Sequence, residues 1–343
     1  MHIADVSYFV KEGSLLDIEA KKRATSIYLV QKVIPMLPRI LCEQLCSLNP
    51  NVDRLAYSCI WRMNADGSRV NEIPYFGRTV IRSCAKLDYA TAQRMIDRII
   101  PSIPSPGADP DAFLSTLSEE IWESVRRPMG HSAWECANDV TMMNNIAMKR
   151  RVVRQSNGAL VINQAKLTFA FDSHGNPSSV STYTIRDSNK LVEEYMLLAN
   201  FLVAEETIRK CGVAAVLRNH IAPDHVDLKE VQDLAQGLGV DVDVSSSKAM
   251  HESIIQLRRT APPAICAALS SLLLTTLNTA NYIVAGEDSP DWVHYALNIP
   301  YYTHFTSPIR RYFFFSFSLF LFFSFIFFSS FYGNISSFIY DRL

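Results

Sequence analysis

His294-Tyr295-Ala296-Leu297, and then Tyr302-Thr303-His304-Phe305-Thr306-Ser307-Pro308-Ile309-Arg310-Arg311-Tyr312, is the stretch on which the reading of this chain turns. Ser307 is a residue type that caps helices, and Pro308 suits a first helical position. A helix starting there would aim free backbone N–H groups and the positive end of its dipole at an anion. Arg310 and Arg311 add fixed positive charge, and a guanidinium grips phosphate oxygens with two donors. The tyrosines, His304 and Phe305 supply flat faces on which unpaired bases stack. The alternative is a surface turn with two solvated arginines.

Four further stretches frame that motif. His2-Ile3-Ala4-Asp5-Val6-Ser7-Tyr8-Phe9-Val10 opens the chain. Arg23-Ala24-Thr25-Ser26-Ile27-Tyr28-Leu29-Val30 leads into Ile34-Pro35-Met36-Leu37-Pro38 and Leu45-Cys46-Ser47-Leu48-Asn49-Pro50. Ala85-Lys86-Leu87-Asp88-Tyr89 comes next, and Ser188-Asn189-Lys190-Leu191-Val192-Glu193-Glu194-Tyr195 runs on to Asn200. Together, in this order, these stretches resemble the RNB-domain exoribonucleases, the ribonuclease II family. Phe76-Gly77-Arg78-Thr79-Val80-Ile81-Arg82-Ser83-Cys84 and the Tyr-Thr-His-Phe lead-in resemble its eukaryotic cytoplasmic branch more than its bacterial members.

The resemblance implies an α+β RNB domain over residues 1–312, with a mixed sheet and long helices around a channel for one RNA strand. It implies a cytoplasmic, monomeric Mg²⁺-dependent enzyme that degrades single-stranded RNA, not DNA, from its 3′ end to nucleoside monophosphates. Arg310 matches the family arginine on the scissile phosphate, so it is the expected catalytic residue, and its chemistry points the same way. Ser307 belongs to the same phosphate-facing turn, and Arg311 is a neighbouring phosphate contact or a structural residue. Tyr28 matches a tyrosine that packs on the terminal nucleotides; the competing reading is a core aromatic at the end of an amphipathic helix. Tyr89 matches an aromatic of the RNA cleft whose bacterial stacking partner is a phenylalanine, replaced here by Ile162. Glu193 and Glu194 match acidic positions bordering the channel, or form a solvated face. His304 stacks near RNA or is a satisfied structural histidine.

The family's four Mg²⁺-binding aspartates lie upstream of the His-Ile-Ala-Asp-Val strand. The resemblance therefore places them before residue 1 and implies no metal ligand in this chain. Asp5 matches a family position outside that quartet and reads as structural. Asp109 and Asp111 flank Pro110 in a proline-rich loop, and Asp241-Val242-Asp243 reads as a solvated edge strand. On this reading the chain is a fragment, impaired as an enzyme by itself. A non-catalytic RNA-binding polypeptide of the same origin is the alternative.

Composition sets bounds on these readings. The chain has 343 residues, 48% of them hydrophobic, with 33 Lys and Arg against 34 Asp and Glu. That supplies a core and excludes a globally basic nucleic-acid binder, so an RNA site must be local. Cys42, Cys46, Cys59, Cys84, Cys136, Cys211 and Cys266 include no Cys-x-x-Cys pair, which fits reduced cytosolic thiols. From Phe313 to Tyr340 no charge occurs, and the run is long enough to span a bilayer. Its Phe/Ser bias, and Phe314 where the family has an aspartate, favour a gene-model artefact such as translated intron over a membrane anchor. The family's distal glutamate is displaced by the same tail.

Periodicity predicts a strand over residues 2–10, a helix over 14–30 capped by Ser14, and a hairpin of 54–63 with 71–83. It predicts helices over 89–100, 132–155, 189–211, 228–238, 249–258 and 263–280, and strands over 159–163, 167–172 and 179–185. The basic run Lys149-Arg150-Arg151 with Arg154 is either a phosphate-steering patch or a solvated face. Strands and helices mix without regular alternation, which favours α+β.

Overall fold

The computed structural model describes residues 1–97, 131, 133–161, 167–172, 175–286 and 291–312. The proline-rich loop with Asp109 and Asp111, Ile162, and the tail from Phe313 lie outside the described residues. The chain divides into two compact units, one of Met1–Arg150, Thr168–Ala199 and Phe305–Phe322, the other of Arg151–Leu167, Asn200–His304 and Phe323–Leu343.

In the first unit, β1 (His2–Ala4) pairs antiparallel with β4 (Asp53–Ile60), which pairs with β5 (Tyr75–Arg82). The central strand, β4, buries Ala56, Tyr57, Ser58 and Cys59 in succession. A strand covered on both faces reads this way, as a run rather than an alternation. The expected opening strand stops at Ala4, and α1 (Val6–Phe9) follows. A strand would put Val6, Tyr8 and Val10 on one face. The helical turn buries Val6 and Val10 while leaving Tyr8 exposed.

Ser14 caps α2 (Leu15–Arg23) by accepting from the Asp17 amide at 3.3 Å. The helix ends seven residues earlier than its periodicity predicted. Ala24 takes a left-handed φ of 60°, and Ile27, a β-branched residue poor in helices, enters β2 (Ile27–Tyr28). This strand pairs with β3 (Val33–Ile34). A π-helical turn, Ile40–Leu45, leads into β4.

Asp88 caps α3 (Tyr89–Asp97), accepting from the Thr91 amide at 2.6 Å. Helices α4 (Ala133–Ser156) and α5 (Asp187–Cys211) follow, separated by the hairpin of β6 (Leu167–Phe171) and β7 (Pro177–Thr182). Met95 of α3, Ala137, Val140 and Ala147 of α4, and Leu191 of α5 form one buried cluster. The basic run on α4 is tied down at its first two positions, although Lys149 stays exposed. Lys149 Nζ donates to the Ala65 carbonyl and Arg150 Nη1 to the Gly67 carbonyl, each at 2.9 Å, pinning the β4–β5 loop. Gly67 has φ +87° there, and a Cβ would stand 2.7 Å from Arg150 Cγ, so this approach requires glycine.

In the second unit, β8 (Val216–Asn219) pairs antiparallel with β9 (Asn281–Val284). Helices α6 (His225–Gly237), α7 (Ser247–Thr260) and α8 (Pro263–Thr275) bury Leu228, Val231, Met250, Ile254, Leu257, Leu269 and Leu273 together. Asp224 and Ser246 cap the first two of these helices with their side chains. Residues 159–161 form no strand: the Leu160 amide bonds to the Ala296 carbonyl at 2.9 Å, and its side chain packs on the helical cluster. Asp241-Val242-Asp243 is likewise a loop. Val242 anchors it in the core, while the two aspartates stay exposed. The described residues contain no helix long and apolar enough to cross a membrane.

Candidate functional site

Arg310 closes a three-residue 3-10 turn, Pro308–Arg310, its amide bonded to the Ser307 carbonyl at 3.2 Å. Ser307 is not the expected helix cap. Its backbone is left-handed, with φ 73° and ψ 45°, and its side chain caps no amide. The hydroxyl instead accepts a hydrogen bond from Arg310 Nη2 at 3.1 Å. The anion-attracting feature of this turn is therefore the held guanidinium, not a helix dipole. Among the described residues Arg310 forms no ion pair and is half-buried, so its charge is available to a ligand.

The backbone on either side of that guanidinium is anchored to the end of α2. The Arg310 carbonyl accepts from the Ser26 amide at 3.1 Å and from Thr25 Oγ1 at 2.8 Å. Thr25 and Arg311 form an antiparallel bridge, and the Tyr312 amide donates to the Ala24 carbonyl at 2.8 Å. The buried Tyr312 hydroxyl donates to Asp17 Oδ1 at 2.8 Å, while Asp17 Oδ2 accepts from the Gly13 amide at 2.9 Å. Residues 24–26 and 310–312 are thus joined by a single antiparallel bridge and its flanking hydrogen bonds, and Tyr28 lies two residues beyond Ser26. Tyr28 is 62% exposed, so it is not a core aromatic at a helix end. Its neighbours Ile27, Leu29 and Val30 are exposed as well.

The other expected RNA contacts of this unit fall on α3 and α5. Tyr89 is the first residue of α3 and is exposed, with its carbonyl accepting from Ser188 Oγ at 2.7 Å. Ser188 also donates its amide to Gln93 Oε1 at 2.9 Å, which fixes the start of α5 on α3. Glu193 is half-buried, but Glu194 is only 1% exposed, beside Leu191, Leu197 and Leu198, and so is no part of a solvated face. Asp5 is buried, ion-paired to Arg78 Nε at 2.8 Å and accepting from Ser7 Oγ at 2.7 Å. Its role is to join β1 to β5. Sequence reasoning passed over Thr25 and Asp17, whose polar side chains inside a strand-entry motif and a first helical turn were the available signal.

His304 belongs to the second unit. Its Nδ1 lies 2.6 Å from the Tyr282 hydroxyl, and the rings of Tyr282 and Tyr302 pack on it edge-on. Arg218 sits over Tyr282, 5.0 Å from the ring centre. Asn200 Nδ2 donates to the Tyr302 hydroxyl at 2.7 Å. Next to this cluster, His220 bridges the Asn278 carbonyl (2.6 Å) and the Ala296 amide (3.0 Å). The His294 ring lies 5.1 Å from that of His220, and its buried Nδ1 has no hydrogen-bond partner among the described residues.

Burial lowers the His294 pKa to about 4, with the nearby His220 and Arg218 adding to the effect. Burial lowers that of His220 too. For a base the sign is clear. The fold prefers neutral rings, so this contribution to stability is complete above the unfolded pKa of about 6.5 and declines as pH falls from there towards 4. Melting temperature should therefore drop between pH 7 and pH 4.5, and His294→Gln should flatten that drop. Equal pH slopes for the two proteins would refute the assignment.

All seven cysteines are free thiols. Burial raises Cys46 to about 12, and burial with the Cys84 thiol 3.9 Å away raises Cys136 to about 11. Both are protonated and poorly nucleophilic at neutral pH. Among the described residues no three His, Cys, Asp or Glu side chains gather as a metal site would require.

Known proteins place this geometry in context. The RNB domain family model matches residues 1–313. The DIS3-like exonuclease 2 of Xenopus tropicalis is 44% identical over 317 residues, covering 91% of this chain and 36% of that protein. An Arabidopsis thaliana relative named "Inactive exonuclease DIS3L2" is 38% identical over 318 residues, covering 91% of this chain and 28% of its own length. Among solved structures, Mycoplasma genitalium RNase R in complex with ribose methylated single-stranded RNA superposes with a TM-score of 0.73 at 24% identity. It covers 92% of this chain and 44% of that one. The chain spans about a third of the length of the curated relatives it matches.

Proposed function

The chain belongs to the RNB-domain family of exoribonucleases, and from that membership we propose that it forms part of the catalytic domain of a cytoplasmic enzyme degrading single-stranded RNA from its 3′ end to nucleoside monophosphates. The observation that carries this reading is the pairing of residues 310–312 with residues 24–26. It sets a half-buried guanidinium, without a carboxylate partner among the described residues, near the strand that presents the exposed Tyr28 ring.

Each residue then has a definite task. The Arg310 guanidinium donates two hydrogen bonds to non-bridging oxygens of the scissile phosphate and offsets the charge that grows there. Ser307 Oγ limits the rotamers of that side chain before RNA arrives. The Tyr28 ring stacks on a terminal base, and Arg311, Tyr89 and Glu193 border the strand. In the second unit His304, tied to Tyr282, offers a ring for stacking on RNA. The substrate is RNA rather than DNA, and the protein acts as a monomer. Mg²⁺, the cofactor the family resemblance implies, would supply an activated water and a Lewis acid. The described residues do not fit such a site, because they gather no set of three ligands. Its ligands belong to the aspartates that the resemblance places before residue 1.

A second reading, an RNA-binding polypeptide without catalysis, is raised by the plant relative named as inactive. A uniformly labelled single-stranded oligoribonucleotide with Mg²⁺ separates the two. Release of mononucleotides, abolished in Arg310→Ala, supports the enzyme. Binding without hydrolysis supports the second reading, and absence of both refutes each.

A further inference from the structure

We propose that Thr25 and the Asp17–Tyr312 hydrogen bond are positioning groups that fix the distance between Arg310 and Tyr28, so that the phosphate grip and the base-stacking ring act on one RNA end in register. This proposal rests on the RNA-binding reading of Arg310 and Tyr28 and adds to it what holds them together.

The two functional side chains come from opposite ends of the sequence. Nothing local fixes their separation, because Arg310 ends a three-residue turn and Tyr28 lies on a two-residue strand. Strands this short are not stable by themselves. What joins them is a small set of bonds on either side of the arginine. Upstream of the bridge, Thr25 Oγ1 reaches the Arg310 carbonyl at 2.8 Å, where the Ser26 amide also arrives. Downstream, the Tyr312 phenol is anchored in the buried first turn of α2 by Asp17, a charge-assisted bond of 2.8 Å.

The geometry restricts sliding of one strand past the other. A shift of one residue would break the single bridge between Thr25 and Arg311 and the hydrogen bonds that flank it. The Arg310 carbonyl would then lose the Thr25 hydroxyl, and Tyr312 would lose Asp17. From Ser26 to Tyr28 the strand advances two residues, about 6.6 Å. The offset between guanidinium and phenol is set by that register. Ser26 adds a second tie: its Oγ accepts the Met36 amide at 2.9 Å, holding β2 to the segment that follows β3. Thr25 is exposed, so its hydroxyl can be removed without opening the core.

The test uses the full 343-residue chain and a single-stranded oligoribonucleotide with fluorescein at the 5′ end and 2-aminopurine as its 3′ base. Anisotropy reports binding, and quenching of 2-aminopurine reports stacking of the terminal base. The unaltered protein should quench about threefold, and Tyr28→Ala should abolish the quench. Thr25→Val and Tyr312→Phe should each lose part of the quench, and the double variant most of it, with affinity held within about twofold. Thr25→Ser, which keeps the hydroxyl, should restore the quench. A residue that merely stabilised the fold would lower affinity and melting temperature without separating quench from binding. Full quench in the double variant would overturn this proposal while leaving the RNA-binding reading intact. Failure of the unaltered chain to bind the oligonucleotide would overturn both.

Discussion

Arg310→Ala weakens binding of single-stranded RNA and, wherever mononucleotide release is measured, lowers kcat by about 10²–10³-fold, the range found when one preorganised donor to a developing oxyanion is removed. The expectation follows from the state of the side chain. It is half-buried, held by Ser307 Oγ, and without an ion-pair partner among the described residues, so no internal contact competes with a phosphate. A single phosphate contact also leaves an electrostatic mark. The slope of log affinity against log salt should become shallower by about 0.7 in the variant, the value for one neutralised phosphate on a single strand. Arg310→Lys keeps the charge and loses the fork. It should recover most of that slope but little of kcat, because a point charge cannot bind two oxygens in one plane. The melting temperature should hardly move, since only the bond to Ser307 is lost. Unchanged salt slope and unchanged turnover in Arg310→Ala would remove the arginine from the site.

Much of the architecture is legible in the sequence because its signals are local. Of the apolar stripe Leu191, Tyr195, Leu198 and Leu202 on α5, the three leucines are buried as the spacing requires and Tyr195 is half-buried. Ser14 and Asp88 sit one residue before the helices they cap. The breaks came where a local signal met a distant partner. Residues 24–28 carry enough periodicity to prolong α2, yet they leave the helix, residues 24–26 to bond with residues 310–312, almost the whole described chain away, and Ile27–Tyr28 to pair with β3. Ser307 has the composition of a cap, but its hydroxyl serves Arg310, and the left-handed backbone precludes a normal helix start. Lys149 and Arg150 look like free surface charge because their carbonyl partners, Ala65 and Gly67, lie in another hairpin. Arg310 and Tyr28 are candidates from residue type and motif alone. The bonds that join their segments were not legible, since contacts of Thr25 and Asp17 with residues 310–312 leave no periodic trace.

Phe305→Ala should be the most destabilising single change in the signature motif. Phe305 is fully buried, and its ring meets Tyr57 edge-on, with centroids 6.0 Å apart and planes at 72°. Tyr57 is itself buried in the middle of β4, opposite Ile3 on β1 and Arg78 on β5. The ring thus fixes the start of the arginine segment to the central strand of the sheet. Truncation to alanine removes the burial and leaves a cavity that a sheet hydrogen-bonded on both sides of β4 cannot collapse to fill. Such replacements cost about 3–5 kcal/mol. For a chain of 343 residues each kcal/mol moves the melting point by about 1–2 °C, so the midpoint should fall by about 6 °C. Phe305→Leu keeps most of the volume and should fall by only a few degrees. The two variants also separate stability from function. At a temperature where both remain folded, the alanine protein should bind RNA less tightly than the leucine protein, because the turn bearing Arg310 has lost its anchor on β4. Equal melting points for the alanine variant and the unaltered chain would show that the ring does not tie this segment to the sheet.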